Sequence, residues 1–177
     1  RRHGGHCAGG HALMAGEPAF SLEFFSLRGR TALVTGANDG IGRGIAEALA
    51  AAGADIVTAG RSPATATGEA VRAQGRRHLD IVASLDELEG LPAVAKAALD
   101  LSGQVDVLVN NAGTIRRSDA AVMSREDWDA VLTLNLDATF FLTQAVAGPM
   151  LARGRGKVIN IASMLSFQGG IRVAAYT

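Results

Sequence analysis

The segment TGANDGIG, residues 35–42, indicates the fold most clearly, because it connects an apolar segment to an amphipathic one through three glycines. Residues 31–35 read TALVT, a short apolar run of the kind that forms buried strands. Residues 41–52 then carry apolar side chains at helical spacing, and Gly53 stands where a glycine commonly ends a helix. The segment therefore predicts a tight turn that joins a strand to a helix.

The glycines of this turn suit the binding of a phosphate group. Gly36 permits a sharp change of chain direction, while Gly40 and Gly42 allow the backbone to approach a ligand and the helix to pack on the strand. The first turn of the helix would offer unpaired N–H groups and the positive end of the helix dipole to a pyrophosphate. A turn whose glycines serve packing alone is the alternative. We expect the nucleotide contacts of the turn at Gly36, Asn38, Asp39, Gly40, Ile41 and Gly42.

Apolar segments and helical patterns alternate along the rest of the chain, which is typical of a parallel sheet whose strands are joined by helices. Because such crossovers are right-handed, the expected fold class is α/β, a Rossmann-type doubly wound parallel sheet with strand order 3-2-1-4-5. One helix is predicted to carry Pro63 in its first turn. Strands are predicted at residues 31–35, 56–59, 79–83, 105–110 and 157–161, and helices at residues 41–52, 63–74, 91–101 and 125–150.

The composition is that of one globular domain. The chain has 177 residues, 48% of them hydrophobic, and a formal net charge of zero, which removes the electrostatic argument for a nucleic-acid or anionic-membrane partner. Its apolar runs are shorter than the roughly 20 residues that span a bilayer, so no membrane association is expected. Because Cys7 is the single cysteine, an intramolecular disulfide is excluded, and we expect a cytoplasmic protein.

The amino-terminal residues differ from the rest of the chain. His3, His6, Cys7 and His11 lie among glycines, and their spacing fits no common zinc site. We therefore expect no metal centre, but a disordered extension over residues 1–26 in which Met14 is a candidate start. The dinucleotide-binding domain is expected to occupy residues 27–177.

The end of the second predicted strand bears on the choice of cofactor. Folds of this kind commonly place a carboxylate there, against the adenosine ribose, or a basic residue near a 2′-phosphate. This sequence has Gly60 and Arg61 at that point and no acid. Glycine leaves room, and a guanidinium can hold a phosphate through two parallel hydrogen bonds. The pair favours NADP over NAD, and a solvent-exposed arginine at a strand end is the alternative.

Four ordered motifs resemble the short-chain dehydrogenase/reductase family. They are the turn at residues 35–42, the sequence NNAG at residues 110–113, Asn135 within LNL, and Ser163 followed 13 positions later by Tyr176. The resemblance implies that Tyr176 is the general acid/base and that Ser163 donates a hydrogen bond to the substrate carbonyl. It implies that Asn135 anchors a water in a proton relay. The residues it assigns to the cofactor ribose are Asn110, Ala112 and Gly113.

Two positions depart from the family pattern. Ser84 stands where family members carry an aspartate that contacts adenine, which would weaken the adenine pocket. The family lysine follows the tyrosine by four residues, whereas this sequence ends at Thr177. A free phenol has a pKa of about 10, so little phenolate forms at neutral pH without a nearby cation. We therefore expect a truncated domain with exposed apolar sheet, poor cofactor binding and negligible turnover.

Within the family, residues 111–120 and 159–177 resemble the 2-deoxy-D-gluconate 3-dehydrogenase group, which acts on sugar acids. Arginines on loops near strand ends suit the carboxylate of such a substrate. The family resemblance also implies a homotetramer for the full-length parent, with interfaces built from the long helix and the helix after the tyrosine. Gluconate 5-dehydrogenases and ketoacyl reductases of the same family remain alternatives, as does a non-catalytic nucleotide-binding protein. The expected substrate contacts are Ser163, Gln168, Arg172 and Arg116, with Arg117 beside them.

Overall fold

Five parallel strands form a single sheet in a computed structural model that describes residues 21–101 and 103–177. The strand order is β3-β2-β1-β4-β5, which confirms the predicted order. Because β1 lies at the centre, the chain adds strands first on one side of it and then on the other. The residues that follow β1 and β4 therefore lie next to each other at the carboxyl ends of the strands. The strands are β1 (Thr31–Thr35), β2 (Asp55–Gly60), β3 (His78–Val82), β4 (Val107–Asn110) and β5 (Lys157–Asn160).

Helices connect the strands. The candidate zinc ligands and most of the expected extension lie outside the described residues, although Leu22–Phe25 form a short 3-10 helix. Gly53 has a positive φ of 107° directly after the C-cap residue of the first helix, as the sequence predicts. The helices are α1 (Gly40–Ala51), α2 (Thr65–Ala73), α3 (Leu91–Asp100), α4 (Arg125–Leu132), α5 (Ala138–Ala152) and the four-residue α6 (Leu165–Gln168).

Two details of the helices differ from the expectation. Pro63 lies outside α2, because that helix begins at Thr65 and Ala64 is its N-cap residue. The buried residues of α1 are small, namely Gly42, Ala46 and Ala50, whereas Ile41 is 68% exposed. Small side chains let the helix lie close to the strands, so the spacing of the larger apolar residues predicts the helix but not its buried face.

The two faces of the sheet carry separate cores, as a doubly wound fold requires. On one face, Leu33 and Leu108 pack with residues of α3 and α5 such as Leu142. On the other face, Val34 and Val109 pack with residues of α1 and α2. Successive residues of β1 and β4 therefore point to opposite cores, and both strands are fully buried.

The predicted long helix is present as α4, a π-helical turn at Thr133–Asp137, and α5, which follow one another without a break. By length and composition alone, the stretch Arg125–Ala152 is sufficient to cross a bilayer, contrary to the expectation from the short apolar runs of the sequence. In this fold, however, Leu142 and Val146 are buried against the sheet. The packing of the domain thus accounts for one apolar face of this helix, while Leu136, Phe140 and Leu151 remain exposed.

The outer strand β5 pairs with β4 along one edge, and all of its residues are exposed. Val158 and Ile159 are 40% and 44% exposed. The expected exposure of apolar sheet is therefore found at this strand.

The opposite end of the sheet is held by buried aspartates. Asp55, at the start of β2, accepts hydrogen bonds from the side chains of Arg76 and Arg77 at 2.8 and 2.7 Å. Burial alone would raise the pKa of Asp55, but the hydrogen bonds and positive charges of the two arginines outweigh it and lower the pKa. Asp106, before β4, accepts from the backbone N–H of Thr31 at 3.0 Å. These contacts lie away from the carboxyl ends of the strands, where ligands bind in such sheets.

Candidate active site

The glycine turn between β1 and α1 is closely packed. Gly36 has a positive φ of 63°, and a Cβ atom there would lie 2.9 Å from the Cα of Ala112. A Cβ atom on Gly42 would overlap the carbonyl oxygen of Gly36. The N-cap residue of α1, Asp39, makes no capping hydrogen bond with its side chain. The first-turn N–H groups of α1 are therefore left without a side-chain cap, as an anion-binding helix terminus requires.

Hydrogen bonds join this turn to the segment after β4. The side-chain amide of Asn111 donates to the carbonyl oxygens of Thr35 and Gly36 at 2.9 and 3.1 Å. In the other direction, the hydroxyl of Thr35 accepts from the backbone N–H groups of Asn111 and Ala112, both at 2.9 Å. The carboxyl ends of β1 and β4 are thus fixed together, and with them the floor of the site.

A cleft of about 320 Å³ opens beside the turn. Arg61 and Ser62, which follow β2, form one of its walls. Arg61 is exposed, and within residues 21–101 and 103–177 its side chain makes no hydrogen bond or ion pair. The lining includes the following residues that the sequence assigns to the cofactor site: Gly36, Asn38, Asp39, Ile41, Gly42, Arg61, Ala112 and Gly113.

A second cleft of about 570 Å³ contains both Ser163 and Tyr176. The Oγ of Ser163 accepts a hydrogen bond from the backbone N–H of Leu165 at 3.1 Å, which leaves its own proton available to a ligand. Tyr176 is half-buried, and its backbone N–H donates to the carbonyl of Val173 at 2.9 Å. The two residues that the sequence spacing selects therefore line the same cavity.

Asn135 lies in the π-helical turn and also lines the second cleft. Its Oδ1 accepts from the backbone N–H of Thr114 at 2.8 Å, and its Nδ2 donates to the Thr114 carbonyl at 2.9 Å. The backbone carbonyl of Asn135 accepts from the hydroxyl of Thr139 at 3.1 Å. The amide therefore holds the loop after β4 in place, and its role in anchoring a water stays a prediction.

Asn110 is buried at the end of β4. Its Nδ2 donates to Thr143 Oγ1 at 3.0 Å and to Asn160 Oδ1 at 2.9 Å. These bonds join β4 to β5 and to α5. The Asn110 amide thus organises the wall of the second cleft, while the segment after it, Ala112 and Gly113, lies between the two clefts.

The residues expected to hold a substrate carboxylate are exposed and do not line either cleft. The side chain of Arg116 lies 3.5 Å from Asp127, and that of Arg172 lies 3.2 Å from Asp119. Arg172 has a positive φ of 64°, and its carbonyl accepts from Ser118. Arg117 and Gln168 are also exposed, so substrate contacts by all of these side chains stay predictions.

Several lining residues were not predicted from the sequence. Asn111 lines both clefts, and Ser62 lies beside Arg61. Ser84 was expected at the adenine pocket, but its hydroxyl donates to Asp86, and its neighbour Leu85 lines the first cleft instead. The position of Asn111 inside the NNAG motif was the signal that could have identified it. The remaining lining residues that were not predicted are Leu134 in the first cleft and, in the second, Thr114, Ile115, Thr139, Asn160, Ile161, Ala162 and Ser166.

No cluster of three or more histidine, cysteine, aspartate or glutamate side chains that could hold a metal ion occurs in the part of the chain that the structure describes.

A parallel sheet in this order, with a glycine turn at the carboxyl edge of its central strand, defines a Rossmann-type α/β protein. The profile of the short chain dehydrogenase family matches residues 30–177, and the chain belongs to this family.

Curated relatives narrow the similarity to enzymes of sugar-acid metabolism. The 2-dehydro-3-deoxy-D-gluconate 5-dehydrogenase of Escherichia coli is 52% identical over 157 residues, which cover 88% of this chain and 62% of the relative. The enzyme of the same name from Bacillus subtilis is 50% identical over 154 residues, covering 86% and 60%. The chain thus spans about 60% of the length of these relatives.

A solved structure agrees with this similarity. A provisionally assigned 2-deoxy-D-gluconate 3-dehydrogenase of Agrobacterium tumefaciens, with NADP bound, superposes with a TM-score of 0.77 at 49% identity. The match covers 86% of this chain and 60% of that one.

Proposed function

We propose that this protein is an NADP-dependent oxidoreductase that interconverts a hydroxyl and a ketone on a sugar acid of the 2-dehydro-3-deoxygluconate type. The observation that carries the proposal is the wall shared by the two clefts. Ile41, Asn111, Ala112 and Gly113 line both the cleft beside the glycine turn and the cleft that contains Ser163 and Tyr176. A dinucleotide that lies along this wall would extend from the phosphate site to the hydroxyl groups that act on a carbonyl.

The first cleft fits NADP in its chemistry. Open N–H groups at the start of α1 suit the pyrophosphate, and the glycines keep the floor free of side chains. No carboxylate stands at the end of β2 to repel a 2′-phosphate, while Arg61 and Ser62 offer donors. The NADP bound to the similar A. tumefaciens protein supports the same choice, with NAD as the alternative.

The second cleft supplies proton chemistry, while bound NADPH would supply the hydride. In the reductive direction, the hydroxyl of Tyr176 donates its proton to the ketone oxygen as hydride adds to the carbonyl carbon. Ser163 donates its hydroxyl hydrogen to the same oxygen. This hydrogen is available because the Ser163 Oγ acts only as an acceptor in its hydrogen bond with the Leu165 N–H. In the oxidative direction, the proton that the alcohol loses would pass to Tyr176 in its phenolate form, which the family lysine four residues farther along would favour.

The choice of a sugar acid rests on the relatives. Gluconate 5-dehydrogenase of Gluconobacter oxydans is 39% identical, and a 3-oxoacyl-[acyl-carrier-protein] reductase of Synechocystis is 37% identical, against 52% for the E. coli enzyme. Arg116 and Arg172 carry the positive charge that a carboxylate would need, although both are paired with aspartates here. A substrate carboxylate that replaces one of these aspartates would have to break an exposed ion pair, which costs little.

The test is oxidation of 2-dehydro-3-deoxy-D-gluconate with NADP⁺, followed by absorbance of the reduced nicotinamide, beside D-gluconate as competitor substrate. We expect negligible turnover by the 177-residue chain. In a protein extended past Thr177 to the length of its relatives, we expect turnover with the first compound and a loss of roughly 10²–10⁴-fold in kcat for Tyr176→Phe, with unchanged NADPH binding. A protein that binds NADPH but oxidises neither compound would instead support a non-catalytic nucleotide-binding role. Preference for D-gluconate would support the gluconate 5-dehydrogenase alternative.

We also propose that copies of the protein associate through α5 and the π-helical turn, in the homotetramer that the resemblance implies. Leu136, Phe140 and Leu151 are 60%, 59% and 78% exposed, and large exposed apolar patches commonly mark interfaces. Light scattering on the protein extended to the length of its relatives tests the proposal, with a mass of four chains expected and any smaller mass contradicting it. A cytoplasmic location remains an expectation.

A further inference from the structure

A cluster of three polar side chains, Thr58, His78 and Asp80, lies between β2 and β3, outside the site described above. Thr58 is 1% exposed, and the parallel register places it beside Asp80. Its Oγ1 lies 2.8 Å from Asp80 Oδ1 and 2.9 Å from His78 Nε2. Buried hydroxyls of this kind are satisfied by specific partners, so the direction of each hydrogen bond can be derived.

The single hydroxyl proton of Thr58 goes to Asp80, because a carboxylate oxygen only accepts and the other acceptor, the Leu79 carbonyl, is farther away at 3.4 Å. His78 must then donate from Nε2 to the Thr58 oxygen. Its Nδ1 is left as the acceptor that faces Arg72 Nη1 at 3.4 Å. The group therefore forms a directed chain that ends on the Asp80 carboxylate.

The second carboxylate oxygen of Asp80 binds the segment between β2 and α2, which lines the first cleft. Oδ2 accepts from the backbone N–H of Ala64 at 2.8 Å, and Ala64 is the N-cap residue of α2. Residues 60–64, which we call the ribose-side loop, end at this point. The other end of the loop is fixed by the carbonyl of Gly60, which accepts from the N–H of Ala83 at 2.9 Å. The loop is thus attached to β3 and the residues just after it at both ends.

Between these attachments the loop carries Arg61 and Ser62 along the wall of the first cleft. The Arg61 side chain has no hydrogen-bond or ion-pair partner among the described residues. The position of its guanidinium therefore depends on the position of the Arg61 backbone. Bidentate binding of a phosphate by a guanidinium depends on position and angle. An attachment that holds the loop therefore affects binding of a 2′-phosphate more than binding of the rest of the nucleotide.

We propose that Asp80 is a positioning residue for recognition of the cofactor 2′-phosphate, acting through its hydrogen bond to Ala64 and the ribose-side loop. The inference rests on the proposed use of NADP. It assigns to a residue of β3 a part in cofactor selection, although the residue itself does not line the cleft.

The test compares adenosine 2′,5′-bisphosphate with 5′-AMP, two probes that occupy only the adenosine half of the site, by isothermal titration. In Asp80→Asn, one amide oxygen would remain for two donors, the Thr58 hydroxyl and the Ala64 N–H, so we expect the Kd of the bisphosphate to rise about tenfold and that of AMP less than twofold. Asp100→Asn is the matched control, because it removes the same charge at an exposed pair with Lys96. It is expected to change neither Kd.

Other results would overturn the inference. An equal rise in both Kd values would show a general structural role, and a lower Kd for the bisphosphate would show that Asp80 acts only by repelling the phosphate. If Asp80→Asn does not fold, Thr58→Val and Thr58→Ser decide. The valine variant is expected to lose preference for the bisphosphate about threefold while serine keeps it, because only serine retains the donor to Asp80. Equal behaviour of the two would contradict the inference.

The titration also separates this inference from the function it rests on. A wild-type protein that binds AMP as tightly as the bisphosphate overturns both. A wild-type preference for the bisphosphate that Asp80→Asn leaves unchanged overturns only the role of Asp80.

Discussion

The side-chain amide of Asn111 donates a hydrogen bond of 3.1 Å to the carbonyl oxygen of Gly36, and so ties the segment after β4 to the glycine turn after β1. The same amide donates to Thr35 at 2.9 Å. Both clefts of the candidate active site share Asn111 as a wall residue. The geometry of the first cleft and that of the second therefore both depend on one side chain.

Replacement of Asn111 is expected to lower both stability and nucleotide binding. Asn111→Ala leaves two partly buried carbonyls without their donor and should lower the free energy of unfolding by about 1–3 kcal/mol. Asn111→Asp should lower the free energy of unfolding further, because a carboxylate oxygen would then face the carbonyl oxygens of Thr35 and Gly36. Urea unfolding of both variants measures the change. If aspartate is tolerated as well as alanine, the hydrogen bonds do not carry the stability assigned to them.

Two glycines of α1 should respond oppositely to alanine. Gly42→Ala places a Cβ against the Gly36 carbonyl and the Asn111 amide, so we expect a loss of roughly 2 kcal/mol or more and much weaker NADPH binding. Gly44→Ala is the matched control, because a Cβ there meets nothing within 4 Å and should gain about 0.5–1 kcal/mol from helix propensity. Thermal unfolding of the pair is the measurement. Similar effects of the two changes would mean that the turn is not closely packed.

Acid should destabilise the fold through Asp55. Because the pKa of Asp55 is lowered in the folded protein, its contribution is fully present above the unfolded pKa of about 4 and is lost as the pH falls through the folded pKa. Free energies of unfolding measured in urea from pH 6 down to pH 3 should therefore fall less steeply in Asp55→Asn than in the wild type. The variant should also lose about 1–3 kcal/mol at neutral pH, because Arg76 and Arg77 lose their partner. A wild-type slope retained in Asp55→Asn would contradict this account.

His78 should titrate below an unperturbed histidine. Burial lowers the pKa of His78, the nearby charge of Asp80 raises it, and the charge of Arg72 lowers it, with a net lowering. Since the unfolded state then binds more protons, this contribution to stability is present above about pH 6.5 and is lost as the pH falls through the folded pKa. NMR titration of the His78 ring measures the pKa directly, and Arg72→Gln should raise it. A ring that titrates above about 6.5 would be inconsistent with the environment described.

The fold could be predicted from the sequence because its information is local and periodic. Alternation of strands and helices, with right-handed crossovers, gives the strand order without any knowledge of side-chain contacts. The family resemblance, to which the spacing of Ser163 and Tyr176 contributes, selects two residues that line one cavity. Both predictions depend on the order and spacing of residues along the chain.

What the sequence did not indicate depends on contacts between distant segments. Asp80 binds the N–H of Ala64, which is the N-cap residue of α2 and lies 16 positions earlier in the chain. The two ends of the Asn135 amide are both engaged by Thr114, which lies 21 positions earlier in the chain. The rotation of α1 follows from how closely Gly42 approaches Gly36, and no hydrophobic pattern records that distance.

The central claim is that the cleft between the glycine turn and Arg61 selects NADP. Titration of the wild-type protein with NADPH and NADH side by side, followed by nicotinamide fluorescence, tests it most directly, with Arg61→Gln as the paired variant. We expect tighter binding of NADPH, and a roughly tenfold rise in the NADPH Kd in Arg61→Gln with the NADH Kd unchanged. Equal or tighter binding of NADH by the wild type, or a variant that keeps the wild-type preference for NADPH, would contradict it.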